Sequence, residues 1–399
     1  MHILYCHQYF NTPDTPGSLR SYEISKSLIK KGHSVSIITS YGNSKKFNLY
    51  KKKKITYKEI DGIKVYFIDS KFSNLNHFSK ILSFIYFSLI CSFRVLTIKA
   101  DLIYVTSTPL TIVIPALLKK LVSNTPFIFE VRDLWPDVPI KIKVLKNFFL
   151  IKLALYLEYL AYKHAKKIVV IVEGFKNYLV KNKNINSKKI ITIYQFCYDT
   201  SINPKKSKKI IFKKNKSYLL YAGGIDFSHN VEYLVYLAEK IYLQNKNIVF
   251  LICGHGNHFS KVYLLAKKLN VLNKNLFFLG NIKREELLFV SKYSKAHIAL
   301  SNPNLPKFHL KNNANNKFFF AINCNKPILN NFTSWQTKIS TKNNIGIKID
   351  SFNFDIASNE IIEFLKNIRF YSNIKNFNKL KKKFSLERQM KILENNLFI

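Results

Sequence analysis

Short apolar runs that stop at turn residues alternate with helix-spaced segments along most of this chain, and the alternation happens twice. The first cycle opens on "HILYCHQYF", turns at "NTPDTPGS" and continues into "LRSYEISKSLIKKG". In that last segment Leu19, Tyr22, Ile24, Leu28 and Ile29 recur roughly at helical spacing, and Gly32 stops the run. "HSVSIITS" reads as the next strand, followed by "KVYFIDS", "DLIYVTST", "TPFIFEV" and "KKIVVIV", with helical segments between several of them. Strands that alternate with helices in this way form a parallel sheet wrapped by helices.

The pattern breaks at "SINPKKSKKIIFKKNKSY", where a charge run and Pro204 mark a linker. It restarts with "YLLYAGG", a helix from about Asn230, "NIVFLICGHG", a helix, "NLFFLGN", a helix around Arg284–Ser291, and "AHIALSN". A chain of 399 residues exceeds what one hydrophobic core usually serves. The expectation is an α/β protein of two doubly wound Rossmann-like domains: 1–200, a linker at 201–217, then 218–375. A C-terminal helix at 376–399 is expected to pack back on the first domain. Ligands of such sheets sit at the carboxyl ends of the strands, so two facing domains place the active site in the cleft between them.

The formal net charge of +41 admits two sources. A polyanionic partner is one. AT-rich codon usage is the other, since Asn, Ile, Phe and Tyr are abundant beside Lys and arginine is confined to six positions. Nucleic acid fits poorly, because readout favours arginine forks and aromatic residues in one patch. Here the lysines are scattered, as at Lys51–Lys54 and Lys205–Lys216. An anionic membrane surface fits better. The five cysteines are widely spaced, which points to a reduced compartment without disulfides. His255 and His258 near Cys253 lack a second ligand pair, so no metal is expected. The chain starts directly in a strand-like run and reads as cytoplasmic. "KILSFIYFSLICSFRVL", Lys80–Leu96, is apolar nearly all round but too short to span a bilayer. It reads either as a buried helix or as an interfacial one flanked by Lys80 and Arg94.

Chemistry concentrates at strand ends. "FIFEVRDLWPDVPI" runs from an apolar strand straight into Glu130, Arg132, Asp133, Trp135 and two prolines. A cation and carboxylates at a strand terminus orient hydroxyls and steady developing charge. A salt-bridge network plugged by Trp135 satisfies the same pattern. Gly17 and Ser18 of "TPGS" precede a helix whose free amides make an anion seat. Gly223 and Gly224 of "YAGGIDFSHN", and Gly254 and Gly256 of "CGHGN", repeat that arrangement. Any one of these is satisfied by a plain tight turn, but three at strand ends point to a nucleotide phosphate.

"HQYFNTPDTPGSLRSYEISKSLIKKGHSVSIITS", "FEVRDLWPD", "IVEGF", "YAGGID", "GHG", "FFLGNI" and "NKFFFAINCNKPIL" occur in one order. In that order the chain resembles a family 4 glycosyltransferase of the GT-B fold, in the bacterial surface-polysaccharide branch that includes N-acetyl-L-fucosamine transferases. The resemblance implies a retaining, metal-independent transferase with no cofactor beyond a UDP-sugar donor. It implies a lipid-linked saccharide acceptor, a role in capsule or O-antigen synthesis, and action at the inner face of the cytoplasmic membrane. The first domain would then serve the acceptor and the second the donor. Arg132, where many relatives carry His, joins Asp133 and Glu130 as catalytic residues. Gly17, Ser18, Gly223, Gly224, His229, Gly254, Gly256, Lys317, Phe318 and Phe319 are expected around the donor.

The sequence also departs from the family. Two glutamates usual in the second domain correspond to Asn312 and Phe320, and Phe cannot hold ribose hydroxyls. Gly224 and His229 stand where Arg and Lys are common. Two rival readings stay open: a UDP-sugar 2-epimerase-like enzyme, and a non-catalytic relative acting as a binding subunit.

Overall fold

The computed structural model describes residues 1–15, 17–41, 55–70, 77–197, 203–207 and 209–397, without the side chains of 77–80. The Lys51–Lys54 run, Pro16 of "TPGS" and the start of the expected linker at 201–202 lie outside the described residues. The chain divides into two compact units, Met1–Tyr194 with Gln389–Ile399, and Gln195–Arg388.

Unit 1 runs β1 (His2–Cys6), α1 (Arg20–Lys30), β2 (Ser34–Ser40), β3 (Ile55–Ile60), β4 (Ile63–Ile68), α2 (His77–Thr97), β5 (Leu102–Thr106) and α3 (Val113–Ser123). It continues through β6 (Phe127–Val131), α4 (Asp137–Lys141), α5 (Phe148–His164), β7 (Lys167–Val170), α6 (Glu173–Lys183) and β8 (Ile190–Thr192). The sheet order is β3-β4-β2-β1-β5-β6-β7-β8. All neighbours are parallel except β3 with β4. The parallel strands are apolar because helices cover both faces, so β5 and β6 are buried along their whole length. The antiparallel hairpin strand β3, which the apolar-run pattern did not reveal, lies at the sheet edge with Tyr57, Lys58 and Glu59 exposed.

The strand expected over "HILYCHQYF" ends at Cys6, and His7–Phe10 leave the sheet as a loop. The segment expected to be either core or interface is α2, and it is both. Phe87, Cys91 and Val95 are fully buried, whereas Leu82, Ile85, Leu89, Phe93 and Leu96 on the other side face out.

Glu130, expected at the reaction centre, is instead sealed inside unit 1. It is 0% exposed and lies 2.8 Å from Arg20, itself 1% exposed. Thr106 Oγ1 donates to Glu130 Oε2 at 2.6 Å and the Tyr104 hydroxyl to Oε1 at 3.0 Å. Arg20 also donates through Nη1 to the Tyr194 carbonyl at 2.8 Å and through Nη2 to the Ile193 carbonyl at 2.9 Å. Burial pushes the Glu130 carboxyl up, but Arg20, Arg132 and the Thr106 hydroxyl together hold it below its ordinary range.

Unit 2 runs β9 (Ser217–Ala222), α7 (Glu232–Gln244), β10 (Ile248–Cys253), α8 (Phe259–Lys268), β11 (Leu276–Gly280), α9 (Arg284–Tyr293) and β12 (Ser294–Ala299). Next come α10 (Lys307–Asn312), α11 (Asn316–Asn323), β13 (Ile328–Asn330), α12 (Trp335–Lys342), β14 (Gly346–Lys348), α13 (Phe354–Lys366) and α14 (Ile368–Tyr371). The unit closes with α15 (Ile374–Lys383), and the last helix, α16 (Leu386–Leu397), belongs to unit 1 from Gln389 onward. The sheet is parallel, in the order β11-β10-β9-β12-β13-β14. Alternate side chains of the central strand β9 feed two cores: Leu219 and Tyr221 enter one, Tyr218 and Leu220 the other.

The described part of the expected linker packs along unit 2. Lys209 Nζ donates to the Leu279 carbonyl at 2.7 Å, and Phe212 stacks on Tyr293 at 4.7 Å. The expected single helix at 376–399 is two helices, because the fully buried Phe384 interrupts it.

Arg20→Leu would leave the Glu130 charge buried without its partner, which costs about 3–5 kcal/mol. Urea denaturation should show that loss. Because the folded Glu130 pKa is depressed, the pair's contribution is present above the ordinary carboxylate range and fades as pH falls through the folded value. The difference between wild type and variant should therefore shrink in acid.

Candidate functional site

In unit 1 the chain leaves β1 toward β2 on one side, and the later strands extend from β5 on the other. That reversal opens a crevice at the carboxyl ends of β1 and β5, where ligands of such sheets bind. His7 follows β1, Ser107 and Thr108 follow β5, and Arg132 and Asp133 follow β6. Arg132 Nη1 donates to His7 Nε2 at 3.2 Å, and its backbone amide donates to Ser107 Oγ at 3.0 Å. An accepting Nε2 leaves the proton on Nδ1, which lies 2.8 Å from Ser21 Oγ. Burial, then the Arg132 charge, lower the His7 pKa well below the usual range, so the ring stays neutral. Thr108 Oγ1 donates to the exposed Asp133 carboxylate at 2.7 Å. The result is a half-buried guanidinium aimed by a neutral imidazole, with a carboxylate beside it.

Arg132 and Asp133 thus stay open to a ligand, and Glu130 does not. Trp135 meets Phe84 of α2 edge-on at 6.4 Å. Gly17 is exposed and Ser18 half-buried, just before α1. Leu19 caps that helix without a side-chain bond. His7 and Ser21 were missed in the sequence; the polar "CHQ" at the first strand end was their signal.

In unit 2 the corresponding reversal lies between β9 and β12. Gly223 and Gly224 follow β9, and Lys317 reaches over them from the first turn of α11. Its Nζ stands 4.7 Å from the centroid of the Tyr221 ring. A Cβ on Gly223 would lie 2.6 Å from that Nζ, so the glycine makes room for the ammonium group. Lys317 is only 7% exposed, and burial pulls its pKa down to about 8, with Asp226 pulling the other way. Asp226 itself accepts from His229 Nδ1 at 2.9 Å and from Ser228 Oγ at 2.6 Å. Burial and the nearby Lys317 lower the His229 pKa. Among the described residues Lys317 forms no ion pair, so this crevice holds a buried cation on an aromatic face. Asp226 and Tyr221, absent from the sequence-derived site, complete the group.

Other expected donor residues serve packing. Gly254 has φ +136°, and a Cβ there would overlap the Gly223 carbonyl oxygen; a Cβ on Gly256 would overlap that of Ile225. Those two glycines let one loop lie against another, joined by Gly223 N to Cys253 O at 2.9 Å. Phe318 and Phe319 are buried in a cluster with Trp335 and Phe384. Phe320 stacks on buried His297 at 5.1 Å and packs against the Tyr218–Leu220 core, so it faces no ribose. Asn312 is buried and donates to the Phe308 carbonyl at 2.9 Å. His255 stacks on Phe259 and His258 pairs with Glu232. No group of three or more metal-ligating side chains occurs among the described residues.

Two family models match the chain. "Glycosyltransferase Family 4" covers residues 19–197 and "Glycosyl transferases group 1" covers residues 203–308. No curated protein matches at the significance required. Sucrose-phosphate synthase from Thermosynechococcus elongatus is similar in structure, with TM-score 0.75, 13% identity, and coverage of 100% of this chain and 99% of the other. HepE of Anabaena, in complex with UDP and glucose, gives TM-score 0.67 at 12% identity, covering 100% and 99%. WaaG, a glycosyltransferase involved in lipopolysaccharide biosynthesis, gives 0.65 at 14% identity, covering 98% and 97%. At such identities the similarity establishes the fold.

Inorganic pyrophosphate should bind unit 2 more weakly as pH rises through about 8, where free Lys317 loses its proton. Lys317→Ala should weaken binding about ten- to a hundredfold, the loss of a charged hydrogen bond of roughly 1.5–3 kcal/mol, and flatten the pH dependence. Calorimetric titration measures both. Phe320→Glu should lower the unfolding temperature without tightening pyrophosphate or UDP binding, because it puts a carboxylate into the core beside His297.

Proposed function

This chain is a glycosyltransferase of the GT-B fold, and from that premise we propose that it moves a sugar from a UDP-linked donor to a saccharide carried on a polyprenyl-diphosphate lipid. The observation that carries the donor half is Lys317: a buried ammonium, resting on an aromatic ring and beside a glycine turn, is stabilised by an arriving anion. A nucleotide diphosphate is such an anion. In this reading Lys317 holds the diphosphate in the ground state and steadies its extra charge as the glycosidic bond breaks. UDP in the complex of HepE supports the choice of nucleotide.

Arg132 and Asp133 orient hydroxyls of the reacting sugars, Arg132 through the aim that His7 gives it. Acceptor and leaving group use the same face of the donor, so the configuration is retained without an enzyme nucleophile, and the sealed Glu130 is not asked to be one. The reading needs no metal and no cofactor beyond the donor. The lipid carrier is supported by the apolar residues that α2 turns outward, and a place at the inner face of the cytoplasmic membrane follows from that carrier. We assign the product to capsule or O-antigen synthesis, in the branch that includes N-acetyl-L-fucosamine transferases.

An epimerase needs a carboxylate in reach for proton abstraction; Glu130 is committed to Arg20, which leaves that role to the exposed Asp133. The binding-subunit reading is favoured by one observation, that neither Asn312 nor Phe320 offers a carboxylate to a ribose. Donor turnover without acceptor separates the three. Slow UDP release supports the transferase, UDP with an epimerised sugar supports the epimerase, and neither product supports the binding subunit. Arg132→Ala should lower UDP release about 10²–10³-fold while UDP affinity and the unfolding midpoint stay near wild type. Unchanged turnover in that variant removes Arg132 from the reaction.

A further inference from the structure

Helix α5, "FFLIKLALYLEYLAYKH", is apolar nearly all round, and such a helix belongs in a core or against lipid. Yet Glu158, Ala161 and Tyr162 are its only fully buried residues. Phe148 is 70% exposed, Phe149 72% and Tyr156 59%. Helix α3 packs against both α5 and α2. It adds Leu121, 83% exposed, and Val122, 70% exposed. The outward stripe of α2 completes the face. Single exposed apolar residues are ordinary, but three adjoining helices that all present them form a patch that needs a partner.

The charges along α5 and the chain on either side of it identify the partner. Residues 138–166 hold six lysines and one acid, Glu158, which is buried and paired with Lys183. Lys152 Nζ lies over the Phe148 ring at 4.4 Å. Two copies of such a face would bring like charges together. An anionic bilayer instead offers acyl chains to the aromatic side chains and phosphates to the lysines. Tyr156 and Tyr159 suit the boundary between the two. Among the described residues no helix is long and apolar enough to cross a membrane, so α5 would lie on the surface.

We infer that the α2–α3–α5 face of unit 1 docks on an anionic lipid bilayer, with Phe148 and Phe149 as its deepest side chains. The inference deepens the lipid-carrier reading and is tested apart from it. The purified full chain is sedimented with phosphatidylglycerol vesicles and with phosphatidylcholine vesicles. The chain should bind the anionic vesicles, less well as salt rises, and the neutral ones more weakly. The double substitution Phe148→Ser, Phe149→Ser should lower that binding about tenfold or more. Both residues are largely exposed, so the variant should keep the wild-type urea midpoint. Equal binding by variant and wild type overturns the inference. So does failure to bind anionic vesicles, whether or not sedimentation shows a dimer that the substitution dissolves. A pyrophosphate titration of the same samples reports on unit 2: its loss with vesicle binding intact would remove the donor reading and leave the docking face standing.

Discussion

The buried pair of Arg20 and Glu130 holds unit 1 in register. One guanidinium gathers the start of α1, the end of β6 and the strand exit at Ile193–Tyr194, and Thr106 and Tyr104 bring in β5. Glu130 and Arg132 lie two residues apart on the same strand end. With Glu130 drawn inward, the alternation of side chains along a strand sends Arg132 to the same side and leaves the loop beyond it free. The position of the Arg132 guanidinium therefore depends on an ion pair sealed inside unit 1. Burying two charges is expensive, and it is tolerated here because the carboxylate receives hydroxyl donors as well as the guanidinium.

The two units solve a common problem with opposite electrostatics. In unit 1 the half-buried cation is steered by a neutral ring, so the His7–Arg132 contact adds direction without cancelling charge. In unit 2 the cation is almost out of water and lies on an aromatic face, with the nearest carboxylate already occupied by His229 and Ser228. Among the described residues neither cation forms an ion pair with a carboxylate. Both belong to crevices at sheet reversals, the positions at which this topology leaves backbone ends unshared.

Much of the fold was legible because burial on both sides writes a parallel strand as a continuous apolar run. Edge strand β3 escaped, since its exposed Lys58 and Glu59 interrupt that signal. The charged stretch before β9 looked like a linker because its lysines outnumber Phe212 and Ile210, the residues that hold it down. The site was legible in part. Gly223, Gly224, His229 and Lys317, all picked out from the sequence, lie together in unit 2. Gly254 and Gly256 share the glycine signature for a different reason, the approach of two loops. Phe318 and Phe319 follow Lys317 in sequence but turn into the core, as helical geometry requires of neighbours about 100° apart. Glu130 could not be told from Arg132 by composition, because the partner that claims it lies in α1, far away in sequence.

The depressed pKa of Lys317 has a calorimetric consequence. Near pH 8 about half of the ligand-free molecules carry this residue uncharged, whereas an anion beside it restores the proton. Anion binding there takes up a fraction of a proton from the medium, and release returns it. The measured heat of binding then contains the ionisation enthalpy of whatever buffer supplies that proton. The difference between two buffers of unlike ionisation enthalpy counts the net protons moved, and the same count on Lys317→Ala isolates the share of this side chain.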